Sequence, residues 1–306
     1  MPVCQSVSLL KRLLAATNRN ENKMGNAKGM SLHIGVNSVD PVHYMDPEGK
    51  LDLGGCENDA RAMFNIAVSR GFEAKILLTR DAVRESVHAE IKKAAKELSP
   101  EDIFLITFSG HGGQVYDFSG EEFDFKDETW CLYDVMLIDD ELRHLWNKFE
   151  EGVRILWISD SCHSMGAFRS LGSGTNLNRN DGLKYRIVPE NKLRKIFDEH
   201  ETLYKKIADM YPGKPKPKAS ILALGACKAS ELSLDMGDSG LFTGHLLRIW
   251  QNGRFSGKYL DFYKKVRNNV IKGAKIYDRK QTPKYETFGD NKKAINSFLE
   301  QEPFTI

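Results

Sequence analysis

Long apolar runs are missing from this 306-residue chain. None reaches the roughly 20 residues that a membrane-spanning helix needs. Near the start, Leu9, Leu10, Leu13 and Leu14 surround Lys11 and Arg12, which reads as a short amphipathic helix rather than the longer apolar centre of a signal peptide. Cysteine is scarce. Cys4, Cys56, Cys131, Cys162 and Cys227 are odd in number and scattered, with no Cys-x-x-Cys pair. That excludes a zinc ribbon and a disulfide framework, and a reducing cytoplasm is the simplest setting. An excess of one charge is also missing, with 44 basic against 42 acidic residues. Neither nucleic acid nor an acidic membrane surface is then expected as the main partner. No internal repeat is present. What remains is a chain of ordinary apolar content, long enough for one large domain or two small ones with a sizeable core.

Strand and helix patterns alternate along it. Residues 30–36, 74–79, 101–108, 153–158 and 219–225 read as strands, with 281–288 as a last one. Helical spacing marks 56–70 and 83–98, a helix opened by Ile138-Asp139-Asp140-Glu141-Leu142, and two more around Phe242–Trp250 and Leu260–Val270. Such alternation predicts a mostly parallel sheet with helices on both faces. Three stretches stand apart: a polar lead-in over 1–29, an acidic stretch over 117–127 read as a loop, and a segment over 168–218 that breaks the rhythm. Within that last segment an exposed helix is expected over 191–210, before the proline-rich 211–218.

Two of the strands end in chemistry. Val153-Arg154-Ile155-Leu156-Trp157-Ile158 stops at Ser159-Asp160-Ser161-Cys162-His163-Ser164, and Ile103-Phe104-Leu105-Ile106-Thr107-Phe108 stops at Ser109-Gly110-His111-Gly112-Gly113. Open α/β sheets bind ligands beyond the carboxyl ends of their strands. A cysteine and a histidine delivered to that edge are a thiol nucleophile and its proton partner. Taken singly, a cysteine after a strand is more often a small buried hydrophobe, and a histidine among glycines is usually a loop residue. The joint occurrence favours catalysis. His163 is a rival proton partner, but neighbours on an extended backbone point apart, which ranks it below His111.

These two motifs resemble the histidine and cysteine motifs of metacaspases, within the caspase-like cysteine peptidases. Caspases carry their histidine about 50 residues before the cysteine, as His111 and Cys162 do. Gly54-Gly55-Cys56-Glu57-Asn58-Asp59-Ala60 is a third match, and Gln301-Glu302-Pro303-Phe304-Thr305-Ile306 looks like the ending of bacterial members. The resemblance runs from about residue 28 to the C-terminus. It implies an α/β fold with a caspase-like, mostly parallel six-stranded sheet flanked by helices. It divides the chain into a lead-in (1–29), a large segment (30–167), a linker (168–218) and a small segment (219–306) that completes the same sheet.

The implied activity is endopeptidase cleavage after Arg or Lys by a Cys162–His111 dyad, acting on protein or peptide substrates. The backbone N–H groups of Gly112 and Cys162 would hold the oxyanion. The positions matching Cys56, Asp59, Ser109 and Asp160 line the family's basic pocket, and on an ideal strand Asp160 shares a face with Cys162. No Asn or Asp partner for His111 is evident, and the family requires none. Many metacaspases use calcium, through carboxylates matching Asp127, Asp139 and Asp140. Here Arg169 stands where the family has a further aspartate, and Met165 replaces a usual glycine, so no cofactor is required and calcium is optional. Self-cleavage of a zymogen is expected in the linker, after Arg179, Lys184 or Arg186, and the resemblance favours a monomer. Two other readings stand beside this one: a catalytically silent caspase-like binding module, and a flavodoxin-like binding domain whose Cys and His are incidental.

Overall fold

The computed structural model describes residues 27–116, 126–162, 182–228 and 230–306, with the side chains of 114–116, 126 and 127 outside that description. Strands β1 (Gly29–Gly35), β2 (Glu73–Leu78), β3 (Ile103–Ser109), β7 (Arg154–Asp160), β9 (Ser220–Gly225) and β11 (Lys284–Phe288) form one sheet in the order β11-β9-β7-β3-β1-β2. All neighbours pair in parallel except β11, which runs antiparallel to β9. A second sheet holds β4 (Gly112–Tyr116), β5 (Lys126–Cys131) and β6 (Met136–Ile138), and β8 (Lys184–Tyr185) pairs with β10 (Leu234–Asp235). The helices are α1 (Cys56–Ser69), α2 (Arg84–Glu97), α3 (Asp139–Trp146), α4 (Glu190–Met210), α5 (Leu241–Trp250), α6 (Tyr259–Ile276) and α7 (Lys292–Leu299). The mostly parallel six-stranded sheet expected from the sequence is present.

The central strands read as unbroken apolar runs because both of their faces are covered. Side chains alternate between two layers. Phe104, Ile106, Phe108, Ile155 and Trp157 pack with Val87 and Ile91 of α2, Leu142 of α3 and Ile196 of α4. Ile103, Leu105, Leu156 and Ile158 pack with Met63 of α1, Phe242 of α5 and Val266 of α6. Ser109 and Asp160 have the second parity and are register partners at the carboxyl ends of β3 and β7. The alternation therefore aims both polar side chains toward the α1 and α5 side of the sheet.

Two expectations need correction. The helix expected to be exposed over 191–210 is α4, and it buries Leu193, Ile196, Phe197, Tyr204 and Ile207 against the core. Those residues recur at helical spacing, a stripe hidden in the sequence by the charged residues between them. The acidic stretch is not wholly a loop either: residues 126 and 127 begin β5, which pairs antiparallel with β4, while 117–125 lie outside the described residues. No helix among the described residues is long and apolar enough to cross a membrane.

Burial also sets an acid limit on the fold. His33 is fully enclosed, with Nδ1 2.9 Å from Thr107 Oγ1 and Nε2 3.0 Å from Ser31 Oγ, and burial lowers its pKa to about 3. His43, stacked on His200, is lowered to about 4, by burial first and the neighbouring imidazole second. A histidine with a depressed native pKa stabilises the fold above its unfolded value of 6.5 and withdraws that support as pH falls. Unfolding free energy should decline from about pH 6.5 to pH 3, by on the order of several kcal/mol, since each tenfold change in proton affinity is worth about 1.36 kcal/mol. Denaturant titrations at stepped pH check this; a flat profile across that window would contradict the buried, neutral histidines.

Candidate active site

The histidine and cysteine turns meet at the sheet's carboxyl edge. Gly112 follows His111, and a Cβ built on it would lie 1.5 Å from the Cys162 carbonyl oxygen. Only glycine lets the two backbones touch in this way. His111 is buried, and its Nε2 lies 2.7 Å from the Leu51 carbonyl oxygen. A carbonyl can only accept, so Nε2 carries the proton and Nδ1 carries the lone pair. Among the described residues Nδ1 has no hydrogen-bond partner. Burial first, and the Arg186 cation as a lesser cause, lower the His111 pKa to about 4 against the raising effect of the Leu51 carbonyl. The imidazole is therefore a neutral proton acceptor at pH 7. Its orienting partner is a backbone carbonyl from the loop before α1, which no side-chain motif could reveal.

Cys162 lies two residues past β7 and is buried. Its Sγ receives a hydrogen bond from the Ser233 N–H at 3.0 Å. Cys227 is in hydrogen-bonding contact with Cys162, and that contact together with burial pushes the Cys227 thiol pKa up. A thiol held protonated in this way is a poor nucleophile.

Beside the cysteine sits a carboxylate pocket, and a residue of the chain itself fills it. The Arg186 side chain is wholly enclosed. Its Nη2 lies 2.8 Å from Asp59 Oδ2 and 3.1 Å from Asp235 Oδ2; its Nη1 lies 3.1 Å from Asp160 Oδ2 and donates to Ser109 Oγ at 2.7 Å. Burial works against the cation, but Asp160, the Cys56 thiol, Asp59 and Asp235 outweigh it and raise the Arg186 pKa. The carboxylates respond unequally. Burial raises Asp59 despite Arg186, whereas in Asp235 the arginine and the Gly237 N–H overcome burial and lower the pKa. The direction that matters is the arginine's: a guanidinium with these partners stays charged.

Buried charges persist only when their remaining hydrogen-bonding positions are met, and here they are. Asp160 accepts from the Thr243 N–H and hydroxyl at 2.9 and 2.7 Å and from Ser233 Oγ at 2.8 Å. Asp59 accepts from Ser109 Oγ at 2.8 Å, Ser239 Oγ at 2.5 Å and the Gly240 N–H at 3.0 Å. Gly240 forms one wall: a Cβ there would meet Asp160 Oδ2 at 2.1 Å and Arg186 Nη1 at 2.4 Å. Cys56, at the start of α1, completes the lining, and burial raises its pKa to about 12.

The backbone around Arg186 is bound as an added strand. Arg186 donates its N–H to the Ser233 carbonyl at 2.9 Å, and its own carbonyl accepts from the N–H groups of Gly112 at 3.0 Å and Cys162 at 3.1 Å. Upstream, β8 pairs antiparallel with β10; downstream, the Val188 N–H donates to the Gly112 carbonyl at 3.1 Å. Chemically, the edge can seat an extended peptide, neutralise a basic side chain and polarise the carbonyl that follows it.

His111, Cys162, Gly112, Cys56, Asp59, Ser109 and Asp160, all singled out from the sequence, converge on this one residue. Among the described residues, Arg186 is the linker cation in the pocket; Lys184 is exposed and donates to the Asp52 carbonyl at 2.6 Å. Arg179, His163, Met165 and Arg169 lie outside the described residues. Sequence reasoning missed Asp235, Ser233, Gly240 and Thr243. Ser233 and Asp235 lie at the two-residue strand β10 and Gly240 and Thr243 at the start of α5, and Ser, Asp and Gly are frequent around any such turn or helix start, so no residue-type signal marks them.

Asp139 and Asp140 are elsewhere, at the start of α3. Arg143, one turn on, places Nη2 3.1 Å from Asp139 Oδ2 and Nε 3.9 Å from Asp140 Oδ1. Calcium wants six to eight oxygens, and a guanidinium already against these carboxylates does not suit it. The Asp127 side chain lies outside the described residues, among which no group of three or more His, Cys, Asp or Glu could hold a metal.

Comparison with known proteins gives the same direction. The caspase domain model matches residues 28–294. Metacaspase-1 of Schizosaccharomyces pombe is 27% identical over 254 residues, covering 72% of this chain and 58% of that protein. Metacaspase-4 of Arabidopsis thaliana is 34% identical over 131 residues, 39% of this chain and 31% of that protein. The chain thus spans well under two thirds of the length of these relatives. A crystal structure of a Geobacter sulfurreducens protein is 40% identical, with a TM-score of 0.79, covering 91% of this chain and 98% of that one. Caspase-1 of Spodoptera frugiperda, at 12% identity and a TM-score of 0.51, shares the fold. The chain belongs to the caspase-domain family of cysteine peptidases, with metacaspases among its relatives.

Proposed function

We propose that the chain is a cysteine endopeptidase that cuts after arginine or lysine, and that its own Arg186–Ile187 bond is its first substrate. One observation carries this reading. The Arg186 guanidinium lies among Asp59, Asp160 and Asp235 while its carbonyl accepts from both the Gly112 and Cys162 N–H groups. Those donors are what an oxyanion hole requires.

His111 Nδ1 takes the Cys162 proton, and Sγ attacks the Arg186 carbonyl carbon. The carbonyl electron pair moves to oxygen, between the two N–H groups. Collapse breaks the bond to the Ile187 nitrogen, which takes the proton from His111. A water deprotonated by His111 then hydrolyses the thioester and frees the Arg186 carboxylate. No step is assigned to calcium. The two fragments should stay associated, since β7 and β9 lie on opposite sides of the cut and pair along their length. Departure of 182–186 then opens the pocket to other chains, and the working form is proposed to be a monomer.

Intact-mass analysis tests this. Purified wild type should convert to two fragments divided after Arg186, and Cys162→Ala should remain whole. The silent binding module has one observation in its favour, a pocket filled by the chain's own arginine. It becomes the better reading if wild type stays uncut and cleaves no basic peptide.

A further inference from the structure

The same segment reports on recognition beyond the basic pocket. Tyr185, just before Arg186, is half-buried against the apolar cluster of α5 and α6 and pairs with Leu234 of β10. Its hydroxyl accepts a hydrogen bond from Arg279 Nε at 2.5 Å. Hydrogen bonds from an ionised donor are shorter and about twice as strong as neutral ones.

Arg279 is held ready for this contact. Its backbone N–H donates to the Ala274 carbonyl at 3.0 Å, and its Nη1 donates to the Asp278 carbonyl at 2.9 Å. Two residues on, buried Gln281 ties the loop to the cleft: Oε1 accepts from the Leu234 N–H at 3.0 Å, and Nε2 donates to the Ala226 carbonyl and Ser233 Oγ, both at 3.2 Å. The strand that pairs with Tyr185 and the loop that carries Arg279 thus form one frame. Lys184 differs, being exposed and reaching a single backbone carbonyl.

We propose that the cleft selects tyrosine at the position immediately before the basic residue, with Arg279 as the specificity-determining side chain that reads its hydroxyl. This rests on the reading of Arg186 as the occupant of the substrate's basic position. A site that hydrogen-bonds a substrate hydroxyl discriminates against the analogue that lacks it. Water reaches the half-exposed Arg279, so the expected discrimination is modest.

Fluorogenic peptides of sequence Leu-Lys-X-Arg, with X as Tyr, Phe or Ala, test the assignment on the self-cleaved enzyme. Tyr should exceed Phe in kcat/KM by about tenfold, the effect of one hydrogen bond to a charged group. In Arg279→Ala the Tyr-to-Phe ratio should fall to near one. Equal rates for Tyr and Phe in wild type, with both cleaved, overturn this inference and leave the peptidase reading standing. A Tyr preference that survives in folded Arg279→Ala overturns the role of Arg279. Failure to cleave any of the three overturns both readings.

Discussion

Cys162→Ala and His111→Ala should each lower kcat/KM on arginine peptides by at least about a thousandfold, because nucleophile and proton partner act as a unit and losing either forfeits most of the chemistry. In both variants the uncut chain also keeps Arg186 in the pocket and on the two N–H donors, which adds to the loss. The structural costs differ. Cys162→Ala strips the Ser233 N–H of its acceptor, which costs on the order of 1–3 kcal/mol for a buried group. His111→Ala leaves the Leu51 carbonyl without its donor and opens a cavity between the turns. Thermal melts alongside the kinetics separate loss of chemistry from loss of fold. A well-folded Cys162→Ala protein with near-normal turnover would sink the mechanism.

Changes at Arg186 should be as severe for self-cleavage and should sort by charge. Arg186→Lys keeps a cation within reach of the three carboxylates and should still be cut, more slowly, since an ammonium cannot match the guanidinium fork. Arg186→Ala should not be cut at that bond. Arg186→Asp would add a fourth carboxylate to the pocket and should be expelled from it. Stability should follow the same order. Removing one partner of a buried charge cluster costs about 3–5 kcal/mol, and water entering the vacated pocket would bring Arg186→Ala to the low end. Arg186 lowers the pKa of both Asp59 and Asp235; without it these two hold protons to higher pH in the folded state, so the deficit should shrink as pH falls. Intact mass and denaturant titrations at two pH values check both halves. Cutting of Arg186→Ala at the same bond would show that the pocket does not select the cleaved residue.

The ordering of effects at this edge comes from geometry rather than from how many charges are present. The chain is nearly neutral overall, yet three carboxylates are gathered around one enclosed cation. Ser109, Ser233, Ser239, Thr243 and the Gly240 N–H supply the hydrogen bonds that make such a concentration tolerable in a low-dielectric site.

What the sequence determined by itself was local. Unbroken apolar runs marked β3 and β7 as strands covered on both faces, and the residues at their ends announced a thiol and an imidazole. Period-two alternation sends Ser109 and Asp160 to one side, but that this side holds a pocket, with Cys56 and Asp59 in its lining, was implied by the metacaspase resemblance of the motifs. The helices α1, α2, α5 and α6 followed from apolar spacing of the same local kind. What only the tertiary structure decided involves partners far apart in the chain. The orienter of His111 is the carbonyl of Leu51, 60 residues away, and a backbone carbonyl carries no residue-type signal. Asp235 reaches Arg186 across 49 residues from the two-residue strand β10, too short to show a period in the sequence. Which of Lys184 and Arg186 meets the carboxylates was likewise decided by packing: α4 sits on the core through its apolar stripe, and the short stretch before it runs along β10, which brings Arg186 to them. Local propensity fixes which elements form and which way their side chains face. The closing of distant loops on one another, which only the assembled core enforces, decides which charge meets which.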